Sequence, residues 1–92
     1  MAFYESEKSL VSTYNIRMAG KIVQRISELI AVDNPQQLPR SARFHEHKGK
    51  RKGLFSLDLV HPFRLIVLST CDYTNWVEIV SVEIYEVFNS HK

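Results

Sequence analysis

The apolar residues of this chain change their spacing once, near Pro39, and that change limits the folds open to it more than any other feature. Over residues 18–29, Met18, Ile22, Ile26 and Leu29 follow at steps of four, four and three, the stripe of an amphipathic helix. Lys21, Gln24, Arg25 and Glu28 fall largely on the other side and are expected in solvent. Upstream, Leu10, Val11 and Tyr14 recur at helical spacing behind Glu5 and Glu7, acids suited to a helix N-terminus, so residues 5–14 read as an earlier helix. A break near Asn15 separates the two, giving a helical hairpin with one apolar side. Asp33, Asn34 and Pro35 end the second helix, residues 35–38 allow one short helical turn, and Pro39 delays the next element.

Beyond Ser41 the period becomes two. Residues 43–47 read as a short polar strand, closed by Gly49 and a charged turn through Lys52. Phe55, Leu57 and Leu59 alternate with Ser56 and Asp58, as in a half-buried strand. His61-Pro62 marks a turn, since proline has no N–H for a ladder. Residues 63–69 are apolar on both faces except for Arg64 and read as a central strand; residues 71–75 read as a loop, and residues 76–87 as a long β-branched strand. The expected fold is α+β, with an N-terminal helical hairpin packed on one face of a mostly antiparallel four-stranded sheet.

Length and composition agree with a single domain over residues 1–92. Apolar residues make up 45% and charged residues 24% of the 92, the balance of a globular chain with one core. No apolar stretch exceeds four residues, and that of residues 65–68 is strand-sized, so neither a signal peptide nor a membrane span is expected. One cysteine, Cys71, gives no internal disulfide and no metal-ligand spacing, which suits a reducing cytoplasmic setting.

The net charge of +2 hides a polarised distribution. Residues 40–52 hold six basic side chains (Arg40, Arg43, Lys48, Lys50, Arg51 and Lys52) against Glu46 alone, a local charge of +5, while the rest of the chain is −3. A cluster of this kind is either solvated surface or a positive field that attracts phosphates or an acidic partner. Arg64 must reach a carboxylate, a phosphate or an open sheet face; pairing with Asp58, Glu83 or Glu86 is the structural alternative to a functional role. His45 and His47, at i and i+2, point to one side of their strand. A metal pair completed by His61 or His91 has no acidic or cysteine partner at suitable spacing, so no metal or other cofactor is expected. RNA cleavage needs none, because the ribose 2′-hydroxyl can attack its own phosphate; a base, an acid and cations suffice. His45, His91 and Arg64 with the lysines are candidates for those roles, and among Phe44, Phe55, Phe63, Tyr73, Trp76 and Tyr85 are candidates for base stacking.

The run Arg43-Phe44-His45-Glu46-His47-Lys48-Gly49-Lys50-Arg51-Lys52-Gly53-Leu54-Phe55-Ser56-Leu57-Asp58-Leu59, followed by His61-Pro62-Phe63-Arg64-Leu65-Ile66, resembles the HigB-type, or plasmid-maintenance killer, branch of the RelE/ParE toxin superfamily. The resemblance implies a RelE-like fold and a ribosome-dependent mRNA endonuclease that inhibits translation. It implies silencing by a HigA-like helix-turn-helix antitoxin, with operator DNA reached only through that antitoxin. Carried over by position, His45, Arg64 and His91 match the catalytic set, and Lys48, Lys50, Arg51 and Lys52 match the basic turn that meets ribosomal RNA, with Arg43 beside it. Asn89 and Ser90 stand where that branch has Asp and Tyr, His47 replaces an apolar residue, and a first strand is absent or reduced to residues 2–4. A second expectation, from a different class, is a toxin-fold binding module that pairs with an antitoxin or nucleic acid without cutting RNA. Gyrase poisoning of the ParE kind lacks support, since the histidines and the basic turn point toward RNA.

Overall fold

The computed structural model describes residues 1–4, 16–47 and 52–89, with backbone alone for residues 2–4. The elements are β1 (Ala2–Tyr4), α1 (Ile16–Ala31), β2 (His45–Glu46), β3 (Leu54–Asp58), β4 (Phe63–Ser69) and β5 (Ser81–Asn89). Single 3₁₀ turns occur at Pro35–Gln37, Arg40–Ala42 and Trp76–Glu78. No helix among the described residues is long and apolar enough to cross a membrane.

The fold is α+β. The sheet has the order β1-β5-β4-β3-β2. Strands β2 to β5 form the expected antiparallel series, and β1 adds a fifth strand, parallel to β5, with Phe3 opposite Val82. Residues 2–4, expected to hold at most a reduced first strand, pair with β5, which is therefore an interior strand. The earlier helix expected over residues 5–14 lies outside the described residues.

Helix α1 presents Met18, Ile22 and Leu29 to one face of the sheet. They meet Phe55, Leu57 and Leu59 of the β3 region, Leu65 and Val67 of β4, and Val82 of β5. Ile22, Leu29, Leu57, Leu65, Val67 and Val82 lose all solvent contact, and each such aliphatic side chain contributes about 1.5–3 kcal/mol by leaving water. Helix α1 ends at Ala31, and Asn34, whose side chain accepts from the Gln36 N–H at 3.0 Å, starts the Pro35–Gln37 turn that follows it.

Two expectations fail, for local polar reasons. Arg25 is not on the solvent side of α1: it is 3% exposed. Its Nε donates to the Asp58 carbonyl at 2.7 Å, Nη2 to the Ser41 carbonyl at 2.9 Å and Nη1 to Glu28 at 2.8 Å. Burial is tolerated because the fork finds three oxygens. The strand expected from Trp76 begins only at Ser81. Asn75 and Glu78 form a capping box: Oδ1 of Asn75 accepts from the Val77 N–H at 3.2 Å, and Glu78 Oε1 accepts from the Asn75 and Thr74 N–H groups at 2.7 and 3.0 Å. Those side chains take donors that a ladder would have used.

Candidate functional site

Pleating sends alternate residues of β3 to opposite faces. Phe55 and Leu57 join the core under α1, while Leu54, Ser56 and Asp58 face the side that α1 does not cover. Register carries the pattern across the sheet: His45 sits opposite Ser56, Ser56 opposite Ile66 and Ile66 opposite Glu86; Asp58 sits opposite Arg64, and Arg64 opposite Phe88. The face away from α1 thus holds a small apolar group of Leu54, Ile66, Leu68 and Phe88 beside a polar group. His47 extends the apolar group, with its ring edge-on to Phe88 at 5.1 Å.

The polar group centres on His45. Its Nε2 lies 3.0 Å from the Ser56 hydroxyl and 3.1 Å from Arg64 Nη1, and its Nδ1 lies 2.5 Å from the Arg43 carbonyl. The partners decide the tautomer, because a carbonyl only accepts and a guanidinium only donates. Nδ1 therefore carries the proton and Nε2 presents its lone pair. Arg64 is 28% exposed and approaches Asp58 Oδ1 at 3.7 Å; Arg43 approaches Oδ2 of the same carboxylate at 3.6 Å. Both separations are too long for hydrogen bonds, and Oδ1 has no hydrogen-bond partner among the described residues. One carboxylate is shared by two arginines, so a phosphate entering the face finds cations already gathered and incompletely satisfied.

Backbone geometry aims this group. Arg43 adopts the left-handed region, φ 48° and ψ 50°, at the end of the Arg40–Ala42 turn. For a non-glycine residue that conformation is strained by about 1 kcal/mol, and it turns the Arg43 carbonyl back to the His45 ring. Arg25 holds the same region from beneath, joining the Asp58 carbonyl to that of Ser41. Gly53, φ +91°, makes the tight entry into β3, and its carbonyl accepts from the Ser69 N–H at 2.9 Å.

Strand β2 is one edge of the sheet among the described residues, and a second feature lies around that edge. A pocket of about 700 Å³ is bordered by His45, Glu46, Lys52, Phe44, Tyr73 and Trp76, among others. Phe44 stacks on Phe55 with centroids 5.1 Å apart and planes within 10°, and Trp76 tilts against Phe44 at 6.1 Å. Trp76 is held there by the Asn75–Glu78 box and remains 43% exposed.

Of the residues singled out from sequence, the structure brings His45, Arg64 and Arg43 together and sets Lys52 on the pocket that His45 also borders. Asp58, from the structural alternative for Arg64, is its neighbour; no ion pair to Glu83 or Glu86 occurs among the described residues. Lys48, Lys50, Arg51 and His91 lie outside the described residues. Sequence reasoning gave no role to Ser56, Glu46 or Asn75. The Asn-x-x-Glu spacing of the capping box was legible; the position of Ser56 opposite His45 was not, since it depends on register. No protein-family model matches the chain, and no curated protein or solved structure matches it either.

Proposed function

We propose that the protein is a toxin of a type II toxin-antitoxin system that cleaves mRNA on the ribosome without a metal ion. The observation that carries the reading is the His45–Arg64 contact: an imidazole whose Nε2 lone pair faces a guanidinium at 3.1 Å, on a sheet face not covered by α1. The resemblance of residues 43–66 to HigB-type toxins supports the same assignment.

In this mechanism the substrate phosphate draws Arg64 from the imidazole, and Arg43 and Arg64 balance the charge that builds on the phosphoryl oxygens. His45 Nε2 accepts the proton of the ribose 2′-hydroxyl as its oxygen bonds to phosphorus. The bond from phosphorus to the 5′-oxygen breaks, and the departing oxygen takes a proton from an acid, the role given to His91. The products are a 2′,3′-cyclic phosphate and a 5′-hydroxyl. Lys48, Lys50, Arg51 and Lys52 dock the ribosomal RNA, and a HigA-like antitoxin silences the protein by covering the face.

A second reading keeps the fold and the docking but not the cleavage. It is favoured by Asn89, an amide at the end of β5 where a carboxylate would be able to move a proton. Induced expression followed by primer extension on ribosome-bound mRNA separates the two. Cuts that disappear with His45→Ala establish the nuclease. Intact mRNA in cells whose growth has stopped, with the protein sedimenting with ribosomes, leaves the binding module and rejects the nuclease.

A further inference from the structure

We infer that the aromatic pocket around the β2 edge is a base-recognition site that takes a guanine of the RNA strand. The inference rests on the proposed RNA reading and adds to it the class of base that is selected. Because β2 is only His45–Glu46 and forms the edge of the sheet, a single strand can cross it, with its phosphate on the His45–Arg64 side and a neighbouring base turned into the pocket.

The walls suit a base. Phe44 is backed by Phe55 in a near-parallel stack, and Trp76 leans over it at 35°, so a planar ring finds apolar faces that are already ordered. The capping box fixes the backbone of the turn that carries Trp76, which lowers the ordering left for binding. Lys52 lies on the rim, where a backbone phosphate would pass.

Glu46 gives the selectivity. It borders the pocket, is exposed, and makes no hydrogen bond or ion pair among the described residues. A carboxylate only accepts, and it accepts two parallel bonds best. Guanine alone among the RNA bases offers two parallel donors on its Watson–Crick edge, N1–H and the 2-amino group. Adenine and cytosine place a ring-nitrogen acceptor beside their amino group, and uracil offers one N–H between two carbonyls, so each sets a lone pair against the carboxylate.

Trp76 is the only tryptophan of the chain, so its fluorescence reports on this pocket directly. Titration of the full chain with guanosine 5′-monophosphate is expected to quench it saturably, with affinity about tenfold higher than for the adenosine or cytidine monophosphate, the discrimination typical of a bidentate contact. Glu46→Gln, on an exposed position that does not hold the fold together, is expected to keep saturable quenching and to cut the preference to about twofold or less. A single-stranded oligoribonucleotide with one G should bind tighter than the mononucleotide and lose that advantage as salt rises. Quenching that is linear in nucleotide, or equal for the three bases, overturns the site. Equal affinity for the mononucleotide and the oligonucleotide overturns its assignment to RNA in favour of a free nucleotide. Guanine-selective binding by a protein that leaves ribosome-bound mRNA uncut supports the pocket and rejects only the nuclease, and cleavage without guanine selectivity does the reverse.

Discussion

The two faces of the sheet are built from the same strands and differ in what covers them. Under α1, alternate residues of β3, β4 and β5 meet Met18, Ile22 and Leu29 in a continuous apolar layer with little polar content. On the other face a smaller apolar group, Leu54, Ile66, Leu68 and Phe88, shares the surface with His45, Ser56, Asp58 and Arg64. The first arrangement is what burial alone would select. The second leaves Arg43 and Arg64 at 3.6 and 3.7 Å from a shared carboxylate whose Oδ1 has no hydrogen bond among the described residues, which costs stability and leaves two guanidinium groups whose contacts to Asp58 are too long for hydrogen bonds. Stability and the candidate chemistry are therefore separated by the pleat, one residue apart in sequence.

If that separation holds, substitutions on the two faces should fail in different assays. The largest expected effect is His45→Ala on the face away from α1, with a loss of about 10²- to 10⁴-fold in mRNA cleavage. Its change in unfolding free energy should stay below about 1 kcal/mol, measured by urea denaturation of the same preparation. Loss of fold in this variant would break the comparison. Arg25→Ala should cost about 3–5 kcal/mol, since it leaves the Glu28 carboxylate and two carbonyls without their shared donor. Because Arg25 bridges the core to the Asp58 backbone, it is the one variant expected to damage both faces. Leu65→Ala, fully buried under α1, should cost about 2–5 kcal/mol and leave the His45–Arg64 contact in place, visible as retained cleavage per folded molecule. Smallest is Ser56→Ala, which removes one hydroxyl from His45 Nε2; about 1 kcal/mol is expected, read as a modest drop in both melting temperature and cleavage.

Much of the helix-facing side was readable from spacing. The steps of four, four and three from Met18 to Leu29 placed α1, and the alternation from Phe55 to Leu59 placed β3, because burial imposes its period directly on the residue types. Strand β4 was placed at Phe63–Ser69 from a run apolar on both faces except for Arg64. Arg25 was misplaced by the same logic: periodicity counts a charge as outside and has no access to carbonyl groups from residues 16 and 33 positions away in the chain. The late start of β5 was missed because β-branched residues outweighed a capping box whose Asn and Glu were in plain view.

The candidate site divides in the same way. The sequence by itself determined the inventory: a basic segment beside a histidine strand, an arginine inside an apolar strand, aromatics near both, and the order of helix and antiparallel strands. Only the tertiary structure decided that His45 lies between Ser56 and Arg64, that Asp58 is shared by two arginines, that residues 2–4 pair in parallel with β5, and that Glu46 and Trp76 border one pocket. The physical reason is range. Propensity and periodicity act over a few residues along the chain, whereas register and the pleat bring together groups that are 11 and 19 positions apart, and a shift of one residue would exchange the two faces.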